Sequence, residues 1–322
     1  MKAVRIHKTG GPEVLQYEDV DLPPPGPDQV RVKHTVIGVN FIDTYHRQGL
    51  YPLPMPAGLG SEAAGVVDAV GENVRTLKVG DRVVYCQVRG AYAEAQNVPA
   101  WLAVKLPNNI SDEIAAAALL KGLTARYLLK ATYPVKAGQT IVFHSAAGGV
   151  GQIACQWAKH LGVTVIGTVG SDNKVSLAHD NGCAHVLNPR KDDWVKRVRE
   201  ITNGAGVPVV YDSIGKDTFM GSLDCLSVRG MLVYFGNSSG AVPAFEPLIL
   251  AQKGSLFLTR PTLAHYMRDA QELKETADDL FAVIASGAVK IAVNQRFKLA
   301  DVRAAHEALH SGQTTGATVL IP

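Results

Sequence analysis

The stretch from Thr140 to Leu161 constrains the fold more than any other part of the chain. A short β-branched run at residues 140–144 predicts a buried strand. The turn Ser145-Ala146-Ala147-Gly148-Gly149-Val150-Gly151 follows it. Val150, Ile153, Ala154, Trp157, Ala158 and Leu161 then recur at spacings of three and four, the signature of one helix face. A strand that passes through glycines straight into an amphipathic helix is the setting of a dinucleotide-phosphate loop.

The same alternation continues downstream. Strands are predicted at residues 164–169, 184–187, 207–211, 231–235 and 256–258. Helices separate them: one capped by Ser171 and ended by Gly182, one at residues 192–201, and one holding Leu223 and Leu226. Strand–helix alternation of this kind implies an α/β doubly wound parallel sheet of Rossmann type, covered on both faces. Upstream of residue 122 the texture differs. Short β-branched runs at residues 30–36, 65–70 and 82–85 alternate with Gly, Pro and Asn turns, which predicts an antiparallel, barrel-like β domain. From residue 261 the remaining signals are a helix at 270–286, a strand at 291–297, a helix at 300–310 and a strand at 318–321. They are too few for a third domain. The expected division is therefore residues 1–122 and the return segment 261–322 in one domain, with residues 123–260 inserted as the other.

Charge and composition narrow the function class. The 322 residues carry 32 Lys and Arg against 29 Asp and Glu, a net charge of +3 without a basic run, so no nucleic-acid partner is expected. No uninterrupted stretch of about 18 apolar residues predicts a membrane span. The Ala-Leu run at residues 114–120 stops at Lys121, and the N-terminus lacks a signal-peptide core. Cys86, Cys155, Cys183 and Cys225 are widely spaced, which points to reduced buried thiols rather than disulfides or a zinc knuckle. The expected location is the cytoplasm.

Within the loop, Ala147, Gly148, Gly149 and Val150 are the expected pyrophosphate contacts. Gly148 leaves room for the phosphates, Gly151 lets the helix pack on the strand, and the helix N-terminus offers free N–H groups. The strict G-x-G-x-x-G pattern fails at Ala146, and a tight turn without a ligand is the structural alternative. Enzymes that use NAD place an Asp or Glu about 20 residues beyond the loop, on the ribose 2′-hydroxyl. Here the strand tip reads Gly170-Ser171, and Lys174 follows one turn later. A hydroxyl and a lysine suit a 2′-phosphate, so the expected cofactor is NADPH. Asp172 is the rival residue, which would favour NAD if it turned to the ribose.

Read together, Gly138-Gln139, the 146–151 turn, Gln156 and Lys159 resemble the quinone oxidoreductase, or zeta-crystallin-like, branch of the medium-chain dehydrogenase/reductase superfamily. Asn40-Phe41-Ile42-Asp43-Thr44-Tyr45, Gly60-Ser61-Glu62-Ala63-Ala64-Gly65, Gly80-Asp81-Arg82-Val83, Tyr211-Asp212-Ser213 and Phe235-Gly236-Asn237-Ser238-Ser239-Gly240 resemble further landmarks in the same order. The resemblance implies a GroES-like, β-rich catalytic domain around the Rossmann domain, with the active site in the cleft. It also implies a homodimer joined near residues 256–258, and reduction of quinones by NADPH without flavin. Thr124 and the turn carrying Phe235, Gly236 and Ser238 are expected near the nicotinamide, and Asn188 near the adenosine end. Two departures bear on the adenosine phosphate. Pro189 stands where relatives have Tyr, and Gly312-Gln313 where relatives carry Arg; Arg190 is a substitute or a surface charge.

Zinc alcohol dehydrogenases, which resemble this chain, place Cys and His ligands where it has Asn40 and Ser61. Neither an amide nor a hydroxyl competes with thiolate or imidazole for Zn²⁺, so no metal is expected. Polar side chains must then position the substrate and stabilise charge. The candidates are Asn40 as donor, Asp43 as a residue fixing its neighbours, and Tyr45 and Tyr51 as hydroxyls and flat faces for a flat quinone. An enoyl or alkenal reductase is an alternative on the same fold. An RNA-binding or crystallin-type structural protein is a remote one, opposed by the lack of a basic stripe with aromatics.

Overall fold

The computed structural model describes residues 1–312 and 314–322, so Gln313 lies outside the described residues. The chain forms two compact units. One comprises Met1–Lys121, Arg268–Ala285 and Ile291–Pro322; the other comprises Gly122–Met267 and Ser286–Lys290. Residues 261–267 and 286–290 thus fall with the second unit, whereas the sequence reading gave them to the return segment.

The first unit opens with strands β1 (Lys2–Ile6), β2 (Gln16–Asp19), β3 (Gln29–Val39), β4 (Ala57–Gly58), β5 (Glu62–Val70), β6 (Arg82–Cys86), β7 (Ala95–Pro99) and β8 (Val104–Lys105), all paired antiparallel. In β3, Val30, Val32, His34 and Val36 face inward while Lys33 and Thr35 face out, the period of two that its sequence predicts. From Val36 to Val39 both faces are buried, and the strand ends at buried Asn40, where helix α1 (Phe41–Gln48) begins. Helix α2 (Asp112–Tyr127) carries the Ala-Leu run.

The second unit is a six-stranded parallel sheet. Strands β9 (Thr140–Phe143), β10 (Thr164–Thr168), β11 (Cys183–Leu187), β12 (Val207–Asp212), β13 (Leu226–Tyr234) and β14 (Phe257–Thr259) lie in the order β11-β10-β9-β12-β13-β14. This is the doubly wound order 3-2-1-4-5-6, which binds ligands outside the carboxyl ends of the strands at the point of reversal. Helices α3 (Gly149–His160), α4 (Val175–Asp180), α5 (Trp194–Ile201), α6 (Phe219–Asp224) and α7 (Leu248–Gln252) complete it. Val142, Ile166, Leu187, Val210 and Leu232, one from each of five strands, pack with Val198, Phe219 and Leu223 in a single cluster. Leu226, expected on a helix with Leu223, instead begins β13. Both leucines are buried in that cluster, and three-residue spacing alone does not show that α6 stops between them at Cys225.

After α8 (Ala270–Ala285), strand β15 (Val293–Lys298), helix α9 (Val302–His310) and strand β16 (Ala317–Ile321) return to the first unit. Strand β16 pairs antiparallel with β3, but β15 and β16 are parallel, unlike the strands upstream of residue 122. The reason is the intervening helix: a parallel pair needs a crossover, and α9 supplies it. Among the described residues no helix is long and apolar enough to cross a membrane.

Candidate active site and cofactor loop

The phosphate loop leaves β9 through Ser145, held at φ 55° in the left-handed region. That conformation costs a non-glycine residue roughly 1–2 kcal/mol. Burying one core aliphatic side chain returns roughly 1.5–3 kcal/mol, so the packed sheet beneath can hold the turn. The Ser145 carbonyl accepts from Gly148 N at 2.8 Å. Gly148 precedes α3 in extended conformation, and no side chain caps the helix, so its first-turn N–H groups receive no side-chain cap.

The glycines have distinct duties. A Cβ on Gly151 would lie 2.2 Å from the Ser145 carbonyl oxygen, so close packing of α3 on the loop demands glycine there. A Cβ on Gly148 would meet that same oxygen at 3.1 Å. Ala146, the departure from the motif, faces Gly167 on β10, where an added Cβ would stand 2.8 Å from the Ala146 methyl. Ala147 is buried and its carbonyl accepts from Gln152 Nε2 at 2.8 Å; Val150 is half-buried.

At the tip of β10, Gly170 is exposed, and a Cβ there would touch nothing within 4 Å. Ser171 does not cap the following turn with its side chain; its hydroxyl donates to Asn173 Oδ1. Asp172, the rival residue, pairs with Lys191 and accepts from Asn188 Nδ2 at 2.6 Å. The Lys191 ammonium, then the Asn188 amide, hold its carboxyl below the usual value. Asn188 is buried, and its Oδ1 accepts from Arg190 N at 3.1 Å, so both ends of the amide serve the protein. Lys174 is half-buried, and burial lowers the affinity of its amine for a proton. After β13, a Cβ on Gly236 would lie 2.5 Å from the Ser213 carbonyl, so this glycine answers a close backbone approach. Phe235 leans on Phe143, and exposed Ser238 donates its N–H to Ser213 O at 3.2 Å. Thr124 is buried on α2.

In the first unit, the end of β3, the start of α1 and the start of β5 bring a polar cluster together. Asp43 is fully buried and accepts from Asn40 N at 2.9 Å, Ser61 Oγ at 2.8 Å and Tyr92 Oη at 2.9 Å. Burial pushes its carboxyl up to about 6 against those three hydrogen bonds. Asn40 Nδ2 donates to Glu62 Oε2 at 2.8 Å. Glu62, also fully buried, further accepts from Leu120 N at 2.6 Å and faces Lys121 Nζ at 3.5 Å; burial raises its carboxyl above the ordinary value.

Behind Asp43 the hydrogen bonds have a fixed direction. Arg47 Nη1 has only protons to give, so His306 Nδ1, 3.0 Å away, must accept. His306 Nε2 therefore carries the proton and donates to Tyr92 Oη at 3.1 Å, which donates in turn to Asp43. Burial holds His306 neutral, with its pKa down at about 3. Tyr45 and Tyr51 are half-buried and meet edge to face at 5.6 Å, with Phe41 edge-on to Tyr45.

The sequence pattern singled out Asn40, Asp43, Tyr45 and Tyr51 but assigned no role to Glu62, Tyr92, Lys121 or His306. The available signals were a carboxylate directly after Ser61 and a lysine breaking an apolar helix run. Tyr92 and His306 carried no local signal, because they reach Asp43 from 49 and, through Tyr92, a further 214 residues away. Among the described residues, no group of three or more His, Cys, Asp or Glu side chains is placed to hold a metal ion.

Residues 26–108 match the family model described as alcohol dehydrogenase GroES-like domain, and residues 149–282 the one described as zinc-binding dehydrogenase. A quinone oxidoreductase of Salmonella typhimurium is 54% identical over 323 residues, covering 99% of each chain. A 2-haloacrylate reductase of a Burkholderia species is 45% identical over 99% of this chain and 98% of its own. The crystal structure of Escherichia coli quinone oxidoreductase complexed with NADPH superposes with a TM-score of 0.99 at 51% identity, covering 100% of both chains. With its GroES-like and Rossmann-type units and this full-length similarity, the chain belongs to the quinone oxidoreductase branch of the medium-chain dehydrogenase/reductase superfamily.

Proposed function

We propose that the protein is a zinc-independent, NADPH-dependent quinone reductase that works without flavin. The observation that carries this reading is the uncapped N-terminus of α3 behind the 145–151 turn, at the carboxyl end of a parallel strand. The residues present fit NADPH. Ala147, Gly148, Gly149 and Val150 would hold the pyrophosphate. Gly170, Ser171 and Lys174 would hold the 2′-phosphate, because the acid nearby, Asp172, is already neutralised by Lys191. Thr124 and the turn with Phe235, Gly236 and Ser238 would flank the nicotinamide, and Asn188 would act beside the adenosine through the ordered 188–192 turn. When bound, NADPH supplies the hydride.

The chain's own part is positioning. Asn40 keeps an amide N–H for a substrate or ribose oxygen while its other donor is fixed on Glu62. Asp43 locks Asn40, Ser61 and Tyr92, and Tyr45 with Tyr51 offers aromatic edges and hydroxyls to a flat ring. At the zinc-ligand positions, Asn40 and Ser61 point hydrogens, not lone pairs, at their acidic neighbours. A second copy of the chain would pair along β14, an edge strand whose Phe257 is 56% exposed. Four free, buried cysteines fit the reducing cytoplasm.

The 2-haloacrylate reductase relative favours a second reading, reduction of a carbon–carbon double bond conjugated to a carbonyl group. A steady-state panel decides between them. NADPH absorbance is expected to fall on adding a small quinone, and more slowly with NADH. A fall with 2-haloacrylate or an enone alone would transfer the assignment to the second reading. No fall with any acceptor would remove both.

A further inference from the structure

The Lys121 side chain is 8% exposed, yet its Nζ makes no hydrogen bond. It stands 3.5 Å from Glu62 Oε2, the same oxygen that receives Asn40 Nδ2. An ammonium has three N–H donors, and leaving them unmet away from water is costly, so such a group calls for an explanation. The electrostatics sharpen the point. Asp43 and Glu62 are two fully buried carboxylates, and Lys121 is the cation whose field reaches both. Lys121 pairs with Glu62 at 3.5 Å, at the oxygen that also receives Asn40 Nδ2, and keeps donors to spare.

Resting on the quinone-reductase reading, we propose that Lys121 is a further catalytic residue: its ammonium, backed by Glu62, binds the substrate carbonyl oxygen and stabilises the negative charge that reduction places there. Reduction of a quinone leaves negative charge on oxygen whether electrons arrive singly or as hydride. The lysine then performs at this site the electrostatic duty that a Lewis acid performs in zinc-binding relatives.

The test uses full-length protein with NADPH bound. Lys121→Met with Glu62→Gln removes both charges and keeps an acceptor for Asn40. After circular dichroism confirms folding, NADPH affinity is expected to stay within twofold, and kcat/KM for quinones to fall about 100-fold. The loss should grow from 1,4-benzoquinone to its tetramethyl derivative, whose reduced oxygen is more basic and leans harder on the cation. A readout free of turnover is binding of 4-nitrophenolate, an anionic mimic of the reduced oxygen, which should weaken at least tenfold. Glu62→Gln alone keeps the ammonium and removes its competing anion, so it should bind 4-nitrophenolate more tightly than the unmodified protein; this variant decides the matter if the double one does not fold. Equal phenolate binding in all three proteins, or a folded double variant within threefold of normal turnover, would overturn the proposal. Absent quinone turnover in the unmodified protein would fail the quinone reading instead, and the phenolate comparison would still stand.

Discussion

Lys174 and Asp172 are two residues apart, and the structure gives them different surroundings. Asp172 is consumed by Lys191 and Asn188, so its charge is not available to a ribose hydroxyl. Lys174 sits half-buried at the same strand tip, where a 2′-phosphate dianion would find a partly desolvated cation. Lys174→Ala should therefore weaken NADPH by roughly 10- to 100-fold, the worth of one charge-assisted contact, and leave NADH within twofold. Fluorescence titration with both cofactors measures this, and equal losses would contradict a 2′-phosphate role. Ser171 and Lys174 could be singled out from the sequence because the loop fixes where the next strand must end. The pairing that disarms Asp172 was not, since Lys191 arrives from 19 residues away around β11.

At the scale of the strand–loop–helix element, Gly148 and Gly151 separate folding from binding. Gly151→Ala would force a methyl to within 2.2 Å of a backbone oxygen, so α3 must shift. Overpacking of this kind costs roughly 1–3 kcal/mol and should appear as a lower melting temperature. Gly148 lies at φ −80°, an ordinary conformation, and its added Cβ would meet its nearest neighbour at 3.1 Å. Gly148→Val should keep most of the fold and abolish NADPH binding, because the side chain enters the space of the phosphates. Melting curves and NADPH titrations of both variants give the comparison. A folded Gly148→Val protein with normal NADPH affinity would show that the phosphates lie elsewhere. The helix itself was readable from its spacing. The close approach of Ala146 to Gly167 was not, because it joins the turn to a neighbouring strand of the sheet.

For the molecule as a whole, stability should follow the buried histidines. His34 donates from Nδ1 to Ala93 O at 2.7 Å and accepts from Tyr85 Oη at 2.9 Å, a neutral ring whose pKa burial lowers from 6.5 to about 4. Unfolded chain binds the extra proton first as pH falls below about 6.5, so the stability this residue contributes is whole above that pH and drains away toward pH 4. Asp43, raised to about 6, works in the opposite direction over an overlapping window, so the net curve alone does not isolate either. The difference between the unmodified protein and His34→Asn does. That gap, read from urea denaturation at a series of pH values, should shrink between pH 6.5 and 4 by about 3 kcal/mol, from 1.36 kcal/mol per pKa unit. A gap independent of pH would mean that His34 is not buried neutral.

By itself the sequence determined what depends on neighbours along the chain. The alternation of β-branched runs with helix-spaced faces set the parallel sheet, with a glycine-rich turn at residues 145–151 leading from its first strand into a helix. Asn40 and Ser61 argued against zinc through their chemistry alone. Tertiary structure decided what depends on contacts between distant segments. It made β15 and β16 parallel, ended α6 before Leu226, and placed His306 and Tyr92 behind Asp43. It also set Lys121 beside Glu62, 59 residues away in the chain, with its donors unmet. The physical reason is range: backbone periodicity and turn chemistry act over a few residues, whereas burial of a charge and the direction of its hydrogen bonds exist only once remote strands have closed around it.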